Sequence, residues 1–142
     1  MRDICFICLS NRQKYQVSCV ESDKDMLDLA IRINEQNGTE VRYCQDAFPH
    51  LPFEDNAFDM VFSMEVLETL EDNDLASAIE EALRIGNMLI FKVPTIKIKS
   101  NGLKGNEHLR TVNSWKGIIS DLGLKINDSM YKDGYLTLAI SR

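Results

Sequence analysis

Short apolar runs alternate with amphipathic, helix-length segments along most of this chain, and that alternation constrains its fold more than any other feature. Ile4-Cys5-Phe6-Ile7-Cys8-Leu9 is continuously apolar and rich in β-branched and aromatic residues, which predicts a central strand covered on both faces. Gln16 to Glu21 alternates with period two and predicts a second strand. Ser22 as N-cap, Asp25 at the third helical position, the recurrence of Met26, Leu29, Ala30 and Ile33, and a left-handed stop at Asn37-Gly38 together predict a helix over about 23–36. Glu40–Cys44 and Phe58–Ser63 predict two further strands, separated by a loop with Pro49 and Pro52. A helix over about 72–85 would carry Leu75, Ala78, Ile79, Ala82 and Leu83 on one side and Glu80, Glu81 and Arg84 on the other. Met88–Val93 predicts a fifth strand, ended by Pro94, and a long loop with Gly102 and Gly105 follows. It leads to a helix over about 112–122 with Trp115, Ile118, Ile119 and Leu122 inward and Gly123 as its stop.

The last segment changes in kind. Leu124–Tyr131 and Tyr135–Ile140 alternate on either side of Asp133-Gly134, a strong signal for an antiparallel hairpin. Strands alternating with helices and then one hairpin predict an α/β, three-layer Rossmann-like fold, mostly parallel, with an antiparallel C-terminal hairpin and an atypical start. With 142 residues, the chain has room for one domain spanning 1–142. No apolar run approaches the roughly 18 residues of a membrane helix, and Asp3 interrupts the first apolar stretch, so a cytoplasmic location is expected. A net charge of −6 disfavours nucleic acid as a partner. Cys5-x-x-Cys8 has the spacing of half a zinc site, but no second pair follows and His50 and His108 are isolated, so buried strand cysteines and no metal are expected.

In an open parallel sheet, ligands bind beyond the carboxyl ends of the strands, near the switch point. Strand two ends in Glu21, strand three is followed by Gln45-Asp46-Ala47, and strand four runs into Ser63-Met64-Glu65. A carboxylate after strand two suits a ribose diol, because it accepts two hydrogen bonds and donates none. Asp46 is placed to accept from the exocyclic amine of an adenine on the same edge.

These segments resemble the class I S-adenosylmethionine-dependent methyltransferases. The resemblance rests on Val20–Ala30, Gln45-Asp46-Ala47, Leu51–Ser63, which opens Leu-Pro-Phe-Glu-Asp-Asn-Ala-Phe-Asp, and Met64–Glu68. Within that superfamily the chain looks like the type 11 small-molecule group. Glu81–Pro94, Asn106–Thr111 and Asp121–Leu124 are also similar to MetW-type methionine-biosynthesis proteins. The resemblance implies S-adenosylmethionine as cofactor, S-adenosylhomocysteine as product and a small-molecule acceptor. It implies that Glu21 holds the ribose, that Asp46 and Ala47 meet the adenine, that Ser22 and Asp23 flank the adenosine, and that Ser63, Met64 and Glu65 line the methionine and methyl end. No catalytic base is implied, and Thr69 stands where relatives often carry a His.

The start departs from that pattern. The family holds the methionine moiety on a Gly-rich turn after its first strand, whereas the first Gly here is Gly38. Six polar residues, Ser10 to Tyr15, are too few for a parallel crossover. Three arrangements stay open: a first strand with a remodelled return, a stand-in for the first helix, or an antiparallel pairing of the first two runs. Each disturbs the methionine half of the pocket, so the rival expectation is a non-catalytic methyltransferase-like module serving in binding or homodimerisation. Lys97, Lys99, Lys104 and Arg110, in the loop after Pro94, would suit an anionic acceptor, with solvation as the plainer role.

Overall fold

The computed structural model describes residues 5–11, 14–38, 40–96 and 108–142, with side chains from Gln16 onward. Strands β1 (Cys5–Asn11), β2 (Lys14–Glu21), β3 (Val41–Gln45), β4 (Met60–Met64), β5 (Leu89–Pro94), β6 (Lys125–Lys132) and β7 (Tyr135–Ser141) form one sheet in the order β3-β2-β1-β4-β5-β7-β6. β2 pairs parallel with β3, and β4 with β5, whereas β1 is antiparallel to both neighbours and β7 to both of its own. β2 through β6 therefore share one direction, and β1 and β7 oppose it.

The first apolar run is central, as its composition predicts, and of the three arrangements left open the chain adopts the antiparallel one. Cys5 lies opposite Val20 and Asn11 opposite Lys14, so only Arg12 and Gln13 join the strands. The polar residues Ser10, Asn11, Lys14 and Tyr15 lengthen this ladder, which a parallel return of that length has no means to do.

Register sorts the side chains into two faces. Val61 opposite Leu89, and Phe91 opposite Leu138, put the large core residues on one face, where Trp115 meets the Phe91 ring at 5.5 Å. Helices α2 (Asp72–Ile85) and α3 (Val112–Asp121) cover it, burying Leu75, Ala78, Ile79, Trp115 and Ile119 completely. Helix α1 (Lys24–Asn37) lies on the opposite face over β2 and β3, where the Tyr43 hydroxyl donates to the Ala30 carbonyl.

Two local expectations are corrected. The N-cap of α1 is Asp23, whose carboxylate accepts from the Asp25 and Met26 amides, and Ser22 instead turns its hydroxyl toward Glu21. The inward stripe of α1 centres on Leu27, which leaves Leu29 and Ile33 exposed at 41% and 50%. Residues at i, i+3 and i+4 share a face, but the sequence alone does not say which of two adjacent apolar stripes meets the sheet. The stop at Gly38 stands as predicted, with φ of 66°. The Asp133-Gly134 hairpin is also as predicted: both residues have positive φ, as a type I′ turn requires. Among the described cysteines Cys19 is buried and Cys44 half-buried, while the side chains of Cys5 and Cys8 lie outside the described residues. No described helix is long and apolar enough to cross a membrane, and no metal-binding cluster is found among the described residues.

Candidate functional site

The carboxyl ends of β2, β3 and β4 open together on one edge of the sheet, and a cavity of about 170 Å³ lies there. Val20 lines it from β2, Ser22 from just after β2, and Asp46, Ala47 and Phe48 from the segment after β3. Leu51 comes from the Pro-rich loop, and Val66, Thr69 and Leu70 come from the short 3₁₀ turn at Leu67–Thr69. The volume is below the roughly 300–1,000 Å³ of pockets that enclose a drug-sized ligand, so this cleft has room for only one part of such a ligand, of the size of a heterocycle.

Glu21, between Val20 and Ser22, is 1% exposed. Its Oε1 accepts from the Asp23 amide at 2.8 Å and the Ser22 hydroxyl at 3.4 Å, while Oε2 is buried without a hydrogen-bond partner. A buried, unpartnered carboxylate oxygen costs about 1–3 kcal/mol, and a ligand hydroxyl brought to this edge would relieve that cost. Glu21 also acts on its neighbour: burial first, and its charge second, push the Cys19 thiol up to about 11, which keeps that sulfur protonated. Asp46 is half-buried, and its Oδ1 accepts from the Ala47 amide at 2.8 Å, which fixes the turn after β3.

Two arginines hold the cavity walls. Arg84 on α2 donates from Nε and Nη2 to Glu81 at 2.7 and 2.8 Å, from Nη1 to Asp55 at 2.7 Å, and from Nη2 to the Leu51 carbonyl at 3.3 Å. Glu81 in turn accepts from the Leu51 amide at 2.7 Å, and the Arg84 guanidinium holds its carboxyl below the usual range. This explains the Leu-Pro-Phe segment: Leu51 is clamped at both backbone groups, and Phe53 packs edge-on against Phe58 at 4.8 Å. Glu81 and Arg84, which helical periodicity assigns only to an outer face, are thus connectors between α2 and the cavity wall.

Arg110 holds the other wall. It is 8% exposed, lies 5.1 Å from the Trp115 ring centre, and donates from Nη2 to the Leu70 carbonyl at 3.1 Å and from Nη1 to the His108 carbonyl at 3.0 Å. It also donates to Asp72 from Nη2 at 2.6 Å and from Nε at 3.3 Å, which holds that carboxyl low. The expectation that Arg110 faces an acceptor is therefore replaced by a structural role. Its companions Lys97, Lys99 and Lys104 lie outside the described residues.

The predicted site residues divide into two groups. Ser22, Asp46 and Ala47 meet at the cavity, with Glu21 beside it. Ser63 and Met64 do not line it. The Ser63 hydroxyl is buried without a hydrogen-bond partner on the core face opposite Phe91, and Met64 is 40% exposed on the other face beside Lys92. Glu65 takes a left-handed backbone (φ 58°), its amide donates to the Lys92 carbonyl at 2.8 Å, and its carboxylate lies 3.9 Å from the Lys92 Nζ. The Lys92 ammonium sits 4.2 Å over the Tyr135 ring, so β4, β5 and β7 present a polar, partly exposed group at this same edge. Phe48, Val66, Thr69 and Leu70 also line the cavity, and the 3₁₀ turn that presents three of them has no periodic signal in the sequence.

The order β3-β2-β1-β4-β5 and this ligand edge are those of the doubly wound nucleotide-binding folds, with β1 reversed and an antiparallel β7 inserted between β5 and β6. A family model described as "Methyltransferase domain" matches residues 5–87, more than half of the chain, and the chain belongs to that family. No curated protein matches it in sequence. Among solved structures it is similar to a SAM-dependent methyltransferase from Aquifex aeolicus, with 16% identity and a TM-score of 0.73 over 89% of this chain and 68% of that one. A SAM-dependent methyltransferase from Methanosarcina mazei gives 11% identity and a TM-score of 0.72, over 88% and 81%. The [4+2]-cyclase SpnF gives 15% identity and a TM-score of 0.76, over 89% of this chain and 66% of its own. The chain thus spans about two thirds of the length of SpnF and of the Aquifex protein.

Proposed function

We propose that this chain is an S-adenosylmethionine-dependent methyltransferase of the small-molecule group, with its cofactor seated by the adenosine half at the Glu21–Asp46 edge. The observation that carries this reading is the buried, unpartnered Glu21 Oε2 beside a cavity lined by Asp46 and apolar walls. The residues fit that half of the cofactor: Glu21 would accept from the ribose hydroxyls, Asp46 from the adenine amine, and Phe48, Leu51 and Val66 would pack on the base. Bound there, the cofactor supplies an activated methyl group on a sulfonium, which an acceptor takes by in-line displacement. The chain's contribution is then proximity and orientation, without covalent catalysis. Ser63, Met64 and Glu65, at the end of β4, are the residues assigned to the methyl end, and the small-molecule acceptor would approach over Glu65, Lys92 and Tyr135.

A specific observation favours a second reading. The antiparallel β1–β2 pairing replaces the crossover that carries the Gly-rich turn, which suits a non-catalytic methyltransferase-like module whose partner is a ligand or a second copy. SpnF, described as a cyclase, is similar in fold, and fold alone does not dictate the reaction. The polar edge strand β6, with Lys125 and Lys132 at its ends and a bulge between Ile126 and Asp128, is poorly suited to pairing with another chain.

Calorimetric titration of the 142-residue chain with S-adenosylmethionine and S-adenosylhomocysteine tests the proposal. Saturable binding that weakens in Glu21→Ala is expected. A folded sample that binds neither, or binds both unchanged in Glu21→Ala, refutes the assignment of this edge.

A further inference from the structure

The amino-acid half of the cofactor finds no comparable cradle among the described residues. A ligand carboxylate is ordinarily met by backbone amides at a glycine-rich turn opening a helix. Here β1 runs antiparallel to β2, so Cys5, the first residue of the strand, stands opposite Val20 at the ligand edge, and the β1–β2 connection lies at the far edge. The nearest helix start, that of α1, is already capped: Asp23 Oδ1 takes the Asp25 and Met26 amides at 2.9 and 3.2 Å. Glu21 and Asp23 add negative charge on that flank, and the described lining of the cavity contains no Lys or Arg. The nucleoside side, by contrast, has a free buried acceptor, an apolar slot and a second carboxylate.

Resting on the proposed cofactor reading, we infer that this site recognises the purine nucleoside itself, with the amino-acid tail left in solvent. Adenosine and 5′-methylthioadenosine then bind this chain about as tightly as S-adenosylhomocysteine does. Selectivity comes from the base and the ribose diol, so cytidine and 2′-deoxyadenosine bind more weakly.

The experiment is a calorimetric series on the intact 142-residue chain, with folding checked by circular dichroism on the same sample. The ligands are S-adenosylhomocysteine, 5′-methylthioadenosine, adenosine, 2′-deoxyadenosine and cytidine. Dissociation constants for the first three within about threefold of one another, and at least tenfold weaker binding of the last two, are expected. S-adenosylhomocysteine binding tenfold or more tightly than adenosine would show that the tail is held, overturning the inference and leaving the cofactor reading intact. Failure of every ligand to bind a folded sample would overturn both. The Val66→Phe variant, which fills the cavity from the 3₁₀ turn, locates the event: it should weaken adenosine and S-adenosylhomocysteine in equal proportion. Unchanged adenosine binding in that variant would place the nucleoside elsewhere and refute the inference.

Discussion

Replacing Glu21 by Gln separates what this residue does for the fold from what it does for a ligand. The side chain is 1% exposed; Oε1 accepts from the Asp23 amide at 2.8 Å, and Oε2 has no hydrogen-bond partner. Gln keeps the shape and the carbonyl that accepts from Asp23, and removes a negative charge held out of water. The unliganded protein should therefore be as stable as the parent, or more stable by up to about 1 kcal/mol, because a neutral amide is less costly to bury than a carboxylate. Binding should move the opposite way. In Gln the group at the Oε2 position is an NH2 that donates, so a ligand hydroxyl would have to reverse and accept a neutral hydrogen bond. Bonds to a charged group contribute about 1.5–3 kcal/mol against about 0.5–1.5 for neutral ones, so the variant should lose about 1–2 kcal/mol of ligand affinity. That loss corresponds to about a five- to thirtyfold rise in Kd. Urea unfolding at pH 7 measures the first quantity and calorimetry with S-adenosylhomocysteine the second. A variant destabilised by more than about 1 kcal/mol, with its affinity intact, would show that Glu21 is a structural group and would refute the reasoning.

Other outcomes follow from the same contacts. A Cβ added at Gly86 would stand 2.7 Å from Val61 Cγ2, so Gly86→Ala should cost about 1–3 kcal/mol; combined with Val61→Ala it should cost less than the sum of the two, as a double-mutant cycle in urea would record. Arg110→Met should lower the melting temperature and weaken nucleoside binding together, since it removes the donors that hold the half-buried Leu70 carbonyl at the cavity wall and the His108 carbonyl beside it; a change in stability with unchanged affinity would disprove the link. The carboxyls of Glu81 and Asp72 are held below their ordinary values of 4.5 and 3.8, so their contribution is present above those values and is lost as pH falls through the lowered ones. The urea midpoint should therefore be flat from pH 7 to about 5 and drop on further acidification, less steeply in Glu81→Gln. Cys19, buried with its thiol pushed up to about 11, should resist alkylation at pH 8 until urea unfolds the chain, as mass spectrometry would show.

Residue pattern alone determined the α/β class, the strand and helix order, the Asp133-Gly134 hairpin and the carboxylates at the ligand edge. Each of these is a local signal: a period of two or 3.6, a residue tolerant of positive φ, or an acid directly after an apolar run. The tertiary structure decided what depends on partners distant in the chain. The direction of β1 followed from its pairing with both Val20 and Val61, and the rotation of α1 from where Leu27 meets the sheet. Glu81, Arg84 and Arg110 became the supports of the cavity walls through contacts 29 to 40 residues away, those to Asp55, Leu51, Leu70 and Asp72. Hydrophobic periodicity records which side of an element is apolar, but it carries no information about which distant carbonyl or carboxylate a buried guanidinium will reach.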